Sequence, residues 1–363
     1  MRKKFFATAV ITLALLTGII AQDSTKSVTV SGSLDGYYRY NFANNNKLGN
    51  NYNNYTSFTN SQKSFELGMA SVRIDASALS GKVTGTIDLG FGRRAEEFSY
   101  NDGVTAGKNN FVSLSNIKQM YITYAASSKV KFTMGKFGTH VGYELLDAPL
   151  NRNYSMSYMF TNGPFFHTGV KMDVTAGPVG FMLGVTNYTD QSTSTIATKS
   201  LIGQISAGSS NGKLKAFFNY VGSFGSESQA IPGGLESLSQ YDLVLTGSVS
   251  SKFNIGFNGT IQSRDNGVTS GSWKGAAVYL NVDPSSTIGL TLRSEYISDS
   301  KNIYFSSTEN IFANTLSLNC KVGPFTLVPE LRFESAQGQI FTKNNGSLTK
   351  STATALVAAI YKF

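Results

Sequence analysis

One cysteine, Cys320, stands among 363 residues, so no internal disulfide can form. With only two histidines, His140 and His167, a Cys/His zinc site is out of reach too. The Asp and Glu residues are not clustered at ligand spacing, and no P-loop or dinucleotide fingerprint occurs. Neither a metal nor an organic cofactor is therefore expected. The formal net charge of +9 is mild and dispersed, which argues against a nucleic-acid partner. After residue 21 no apolar run approaches the ~18 residues that a membrane-spanning helix needs. One catalytic pattern survives, G-x-S-x-G at Gly208-Ser209-Ser210-Asn211-Gly212. A nucleophile elbow sits between a strand and a helix. This segment joins two strand-like runs, so it reads as a turn and no enzyme is expected.

The first residues are of another kind. Arg2, Lys3 and Lys4 precede an apolar run over residues 5–20, and Ala21 before Gln22 is a small-residue cleavage point. Residues 1–21 read as a secretory signal peptide, because the run is short for a membrane anchor. Removing those three basic residues would leave about 340 residues with a net charge of about +6. An exported chain without disulfides must be stabilised by something else. Helix formers are scarce, while 36 glycines, 25 phenylalanines and 18 tyrosines accompany many Ser, Thr and Asn residues. An all-β exported protein is the class that remains.

Apolar and polar residues alternate along the rest of the chain. Val28, Val30, Leu34, Tyr38 and Tyr40 oppose Thr29, Ser31, Asp35, Arg39 and Asn41; Phe253, Ile255, Phe257 and Ile261 oppose Asn254, Asn258, Thr260 and Gln262. Each run is a strand with one apolar and one wet face. A soluble β-sandwich alternates likewise, so the gaps decide. Short turns such as Ser80-Gly81 and Asp283-Pro284-Ser285 take turns with long polar stretches such as 44–60 and 335–350. That cadence predicts a transmembrane antiparallel β-barrel of about 16 strands, with short periplasmic turns and long extracellular loops. Residues 22–363 are expected to form it, closed because a bilayer tolerates no unpaired strand edge.

Residues 353–363 end in mid-strand, with Tyr361 and Phe363 on the apolar, lipid-facing parity. A final Phe with Tyr two residues before it resembles the signal by which the outer-membrane assembly machinery recognises its clients. The opposite parity points Arg39, Arg73, Asp75, Lys131, Lys171, Arg293 and Arg332 into the lumen. A barrel of this size is too wide for side chains to fill, so it should hold water. A small excess of inward basic residues predicts a weak preference for anions. Pro329 lacks an N–H for the ladder, which predicts a bulge or local break there.

The third long connection, residues 138–164, breaks the rhythm. It carries Tyr143, Leu145, Leu146, Tyr154, Met156, Tyr158 and Phe160, which need cover from water. Long loops with apolar content are commonly functional. Folding into the barrel would bury these groups and narrow the passage. The alternative makes 153–160 a strand of an extra hairpin and raises the count from 16 to 18. On the inward reading His140, Glu144, Asp147 and Arg152 are the ionisable groups at the constriction, with His140 adding charge at lower pH.

Residues 134–172 hold Gly135-Lys136-Phe137, Gly142 with Glu144, the run 151–155, Pro164-Phe165 and His167-Thr168-Gly169. This stretch resembles the central signature of the OmpL-like β-barrel porins of Gram-negative bacteria. The resemblance implies an outer-membrane pore for passive diffusion of small hydrophilic solutes. Its partners would be the lipid bilayer, the assembly machinery and the solutes, and it would work as a monomer or homotrimer. Two other readings stay open: a substrate-selective channel, for instance for oligosaccharides, and a non-channel adhesin or structural barrel.

Overall fold

The computed structural model describes residues 26–43, 53–102, 112–194, 198–224, 237–265, 270–299 and 310–363. The expected signal peptide, residues 1–21, lies outside the described residues.

Alternation of apolar and polar residues drives the chain into β1 (Ser27–Asn41), β2 (Ser64–Ala78), β3 (Val83–Phe91), β4 (Ile117–Ala125), β5 (Val130–Gly138) and β6 (Phe166–Ala176). There follow β7 (Val179–Asn187), β8 (Lys199–Gly208), β9 (Leu214–Phe224), β10 (Ser237–Ser248), β11 (Phe253–Asp265) and β12 (Ser270–Val282). The last are β13 (Ile288–Asp299), β14 (Ile311–Val322), β15 (Phe325–Ala336), the two-residue β16 (Phe341–Thr342) and β17 (Leu348–Thr349), and β18 (Ser351–Lys362). Sixteen of these close into one antiparallel barrel in sequence order, while β16 and β17 pair with each other in the connection before β18. Residues 153–160 are not a strand. They lead into a helical turn, Tyr158–Asn162, whose first N–H groups have no partner within the helix; Ser157 Oγ accepts from Phe160 N–H at 3.1 Å.

β1 and β18 close the barrel from Ser33↔Lys362 to Asn41↔Thr354, and Gly32 and Phe363 exchange backbone bonds of 2.9 and 3.0 Å beyond them. The burial pattern is that of a soluble protein turned inside out. On β10, Gln240, Asp242 and Val244 are buried, whereas Tyr241, Leu243 and Leu245 face outward. At Pro329 the β14–β15 ladder lapses between Ser317↔Glu330 and Cys320↔Leu327 with no change of register, so the site is a local break and not a bulge. The G-x-S-x-G segment is the β8–β9 turn. Its Ser209 hydroxyl accepts from Leu214 N–H at 2.9 Å and donates to Asn211 Oδ1 at 2.7 Å.

Candidate functional site

A buried irregular segment must find partners for its backbone N–H and C=O groups. Residues 139–165, which join β5 to β6, find them on the inner faces of strands far away in sequence. Gly142 N–H donates to Asp242 of β10 at 3.0 Å, and Tyr143 N–H to Asn258 of β11 at 3.3 Å. At the low point Arg152 donates to Asp283, in the short turn between β12 and β13, at 2.8 Å and to Thr291 at 2.7 Å. On the way back Tyr154 N–H donates to Glu330 of β15 at 2.8 Å and Tyr158 N–H to Glu295 of β13 at 2.7 Å. The segment ends with Phe165 and Phe166 N–H on Asp190, at 2.6 and 3.0 Å. Wall cations take its carbonyls: Arg293 donates to Ser155 O at 2.7 Å, and Arg332 to Met156 O at 3.0 Å. The chain thus runs down the lumen to the short-turn end and climbs back.

Close approach also needs missing side chains. A Cβ on inward-facing Gly256 would stand 2.5 Å from the Tyr143 ring, and one on Gly275 would stand 2.6 Å from Met159 Cγ. With those Cβ atoms absent, Tyr143 stacks on Tyr279 at 4.0 Å between centroids, and Met159 joins Tyr158 in a cluster around Trp273.

The charges along this wall pair in a chain. Arg293 meets Glu144 at 2.6 Å and Glu295 at 3.2 Å, and Arg332 meets Glu295 at 3.2 Å and Glu334 at 3.1 Å. All five are buried. Sequence alternation missed another buried cation that holds the loop, Arg94, because it lies on the short helix Arg93–Phe98 outside any strand. Fully buried, it donates to Leu146 O at 3.1 Å and Tyr154 O at 3.3 Å and lies over the rings of Phe58 and Tyr154.

The inner face of β2–β6 is different. Near the short-turn end Arg73, Asp75, Lys131 and Lys171 line one cavity of about 620 Å³. Arg73 pairs with Asp75 at 2.7 Å and Lys171 with Asp173 at 2.9 Å. A neighbouring cavity of about 450 Å³ shares Arg73 and Gln119 and reaches Leu145 and Leu150 of the loop. A third, of about 280 Å³, opens at the long-loop end beside Tyr188 and Arg264. Residues 160–165 stand between the last two: Phe160 and Phe165 line the lower cavity, and 161–164 line the upper.

Of the four residues expected at the constriction, Glu144 and Asp147 both line the cavity of about 450 Å³, while His140 and Arg152 lie outside its lining. Glu144 is buried on Arg293 and also accepts from Ser157 N–H at 2.7 Å. Asp147 holds Lys118 at 2.5 Å, which in turn pairs with Asp88 at 2.9 Å. Arg152 is tied to Asp283, and that ion pair holds the Asp283 carboxyl below the usual carboxylate range. His140 corrects an expectation. Its Nε2 lies 3.1 Å from Tyr220 O and its ring 5.4 Å from that of His167. Burial pushes its pKa down to about 4, so it gains no charge under mildly acidic conditions.

Arg73, Asp75, Lys131 and Lys171 are brought together. Arg39, Arg293 and Arg332 point inward but are 2, 0 and 6% exposed, beneath loop chain and not against water. Arg39 donates to Ser61 O at 2.7 Å and Asn53 O at 3.1 Å. Tyr361 and Phe363 face outward, half exposed.

A family model described as "Putative beta-barrel porin-2, OmpL-like" matches residues 27–363. No curated protein matches the chain in sequence. Among solved structures, the outer membrane channel DcaP of Acinetobacter baumannii is 14% identical, with 94% of this chain and 98% of that one covered and a TM-score of 0.61. The anion-selective porin from Comamonas acidovorans is 12% identical over 93% and 100% of the two chains, TM-score 0.61. The trimer form of OmpT from Vibrio cholerae is 12% identical over 94% and 100%, TM-score 0.58. At such identities the likeness concerns the fold.

Proposed function

Starting from a chain that belongs to the OmpL-like β-barrel porin family, we propose that residues 139–165 set the constriction of its channel. The protein is an outer-membrane porin, a water-filled passage for passive diffusion of small hydrophilic solutes. The observation that carries the constriction reading is the set of backbone bonds from this loop to inward side chains of β10, β11, β13 and β15. Glu144, Asp147 and Arg152 then act through the loop's position, which their ion pairs hold, and His140 acts as a neutral packing group at its base.

A weak anion preference follows from the open wall, where Arg73, Lys131 and Lys171 share a cavity with one carboxylate, Asp75. The anion-selective Comamonas porin of the same fold is in keeping with this. Export through residues 1–21 and assembly as a homotrimer, the form in which OmpT was solved, complete the reading. The full chain in planar bilayers should give ohmic conductance steps, with a reversal potential in a KCl gradient that favours chloride. Absence of steps overturns the channel, and a cation-favouring potential overturns the assigned filter.

A further inference from the structure

We propose that the lower lumen holds a subsite for small amphipathic carboxylates, their apolar end on the loop's leucines and their charge toward Arg73, Lys131 and Lys171. The inference rests on the channel reading above and names a solute class within it. Its starting point is two large apolar side chains facing water inside an otherwise polar bore. Leu145 and Leu150 are 48 and 63% exposed, while Tyr154, Met156 and Tyr158 of the same loop are each 1% exposed. The loop thus covers most of its apolar groups and leaves these two bare, in the cavity of about 450 Å³, roofed by Phe160 and Phe165. That volume lies in the ordinary range for small-molecule sites, about 300–1,000 Å³.

The leucines are held rigidly. Asn151 accepts from Leu145 N–H at 2.9 Å and donates back to Leu145 O and to Asp147 O, while Leu150 N–H donates to Asp147 O at 3.0 Å. An apolar surface fixed in this way needs no ordering when a solute arrives. Opposite it, the strand side is polar, with Ser31, Ser33 and Ser71. The three side-chain carboxylates of the cavity are each paired with a cation, Asp88 and Asp147 with Lys118 and Glu144 with Arg293. Arg73 faces both this cavity and its basic neighbour, steadied by Asp75 at 2.7 Å and by the Tyr121 hydroxyl at 3.3 Å. A molecule with one apolar and one anionic end matches the two cavities together. Sugars match only the polar wall.

The test uses the full chain in planar bilayers with KCl, adding acetate or hexanoate and reading the concentration that halves the current. Four added methylenes, each worth up to about fourfold when buried, should make hexanoate block at a concentration at least about tenfold lower. Leu145→Ser with Leu150→Ser should reduce that ratio below about twofold, and Leu150→Ser alone, at the more exposed position, serves if the pair does not assemble. Lys131→Gln with Lys171→Gln should weaken block by hexanoate but not by hexanol. Equal block by acetate and hexanoate, or a hexanoate preference that survives the leucine changes, overturns the proposal while KCl steps remain. Absence of KCl steps overturns the channel reading and the subsite with it.

Discussion

The two sides of the barrel's inner wall use charge in opposite ways. On β10–β15 the inward ionic groups are partners for a loop: Asp242, Glu295 and Glu330 accept its N–H groups, and Arg293 and Arg332 donate to its carbonyls. On β2–β6 the buried Lys118 also serves the loop, through Asp147, but Arg73 and Lys171 are paired with carboxylates two residues along their own strands and keep one side toward open space. A lumenal charge is therefore not a filter merely because it points inward. What decides is whether a backbone lies across it.

The sharpest test of that contrast removes the loop. A chain lacking residues 143–158 should give single-channel conductance several times higher and admit larger sugars, because the β10–β15 charges become hydrated wall. Unchanged conductance and size cut-off would mean that the passage is set elsewhere. Next in size is Arg293→Gln, which leaves Glu144 without its cation and Glu295 with Arg332 alone. Breaking a buried pair in this way costs about 3–5 kcal/mol, so the melting temperature should fall and the loop should become open to protease. A variant as stable as the parent would show that the network does not hold the loop. Lys131→Glu with Lys171→Glu acts on the open wall instead. It should shift the reversal potential toward cations at low salt, lose that shift at high salt, and leave the melting temperature nearly unchanged.

The smallest effect concerns pH. Asp190, outside the strands, has its carboxyl pushed up to about 6 by burial against its ordinary 3.8. A folded value above the unfolded one means the folded state holds the proton more tightly, so this contribution is full below about pH 4 and is lost as pH rises through 6. Exchange protection of the Phe165 and Phe166 amides, corrected for intrinsic rates, should be higher at pH 5 than at pH 7, and Asp190→Asn should flatten the difference. Lower protection at pH 5 would refute the assignment.

The barrel was legible because a period of two, repeated with alternating gap lengths, has few other solutions, and closure follows from the bilayer. Parity also gave the direction of Arg39, Arg293 and Arg332. It could not give their partners, since alternation reports which face a residue is on and not what covers that face. Arg94 left no trace, being on a loop helix. Two signals were available and unused. Gly256 and Gly289 fall on the inward parity, where a wet wall has no use for glycine, and there Tyr143 and Arg152 come within 2.5 and 2.8 Å of the missing Cβ atoms. Asn151 among the leucines likewise marks a clamped turn.

The partners of residues 139–165 also fix an order of events. Gly142 is 100 residues from Asp242, and Tyr158 is 176 from Glu334. Ladder pairs between strands consecutive in sequence are local, whereas the β1–β18 seam and these loop contacts are not, and contacts at such separations form late. The bonds to Glu330 and Glu334 have no acceptor until β15 is laid against β14 and β18. The loop therefore cannot take its final place before strands well after it in sequence are paired. Until then the passage lacks the chain that narrows it.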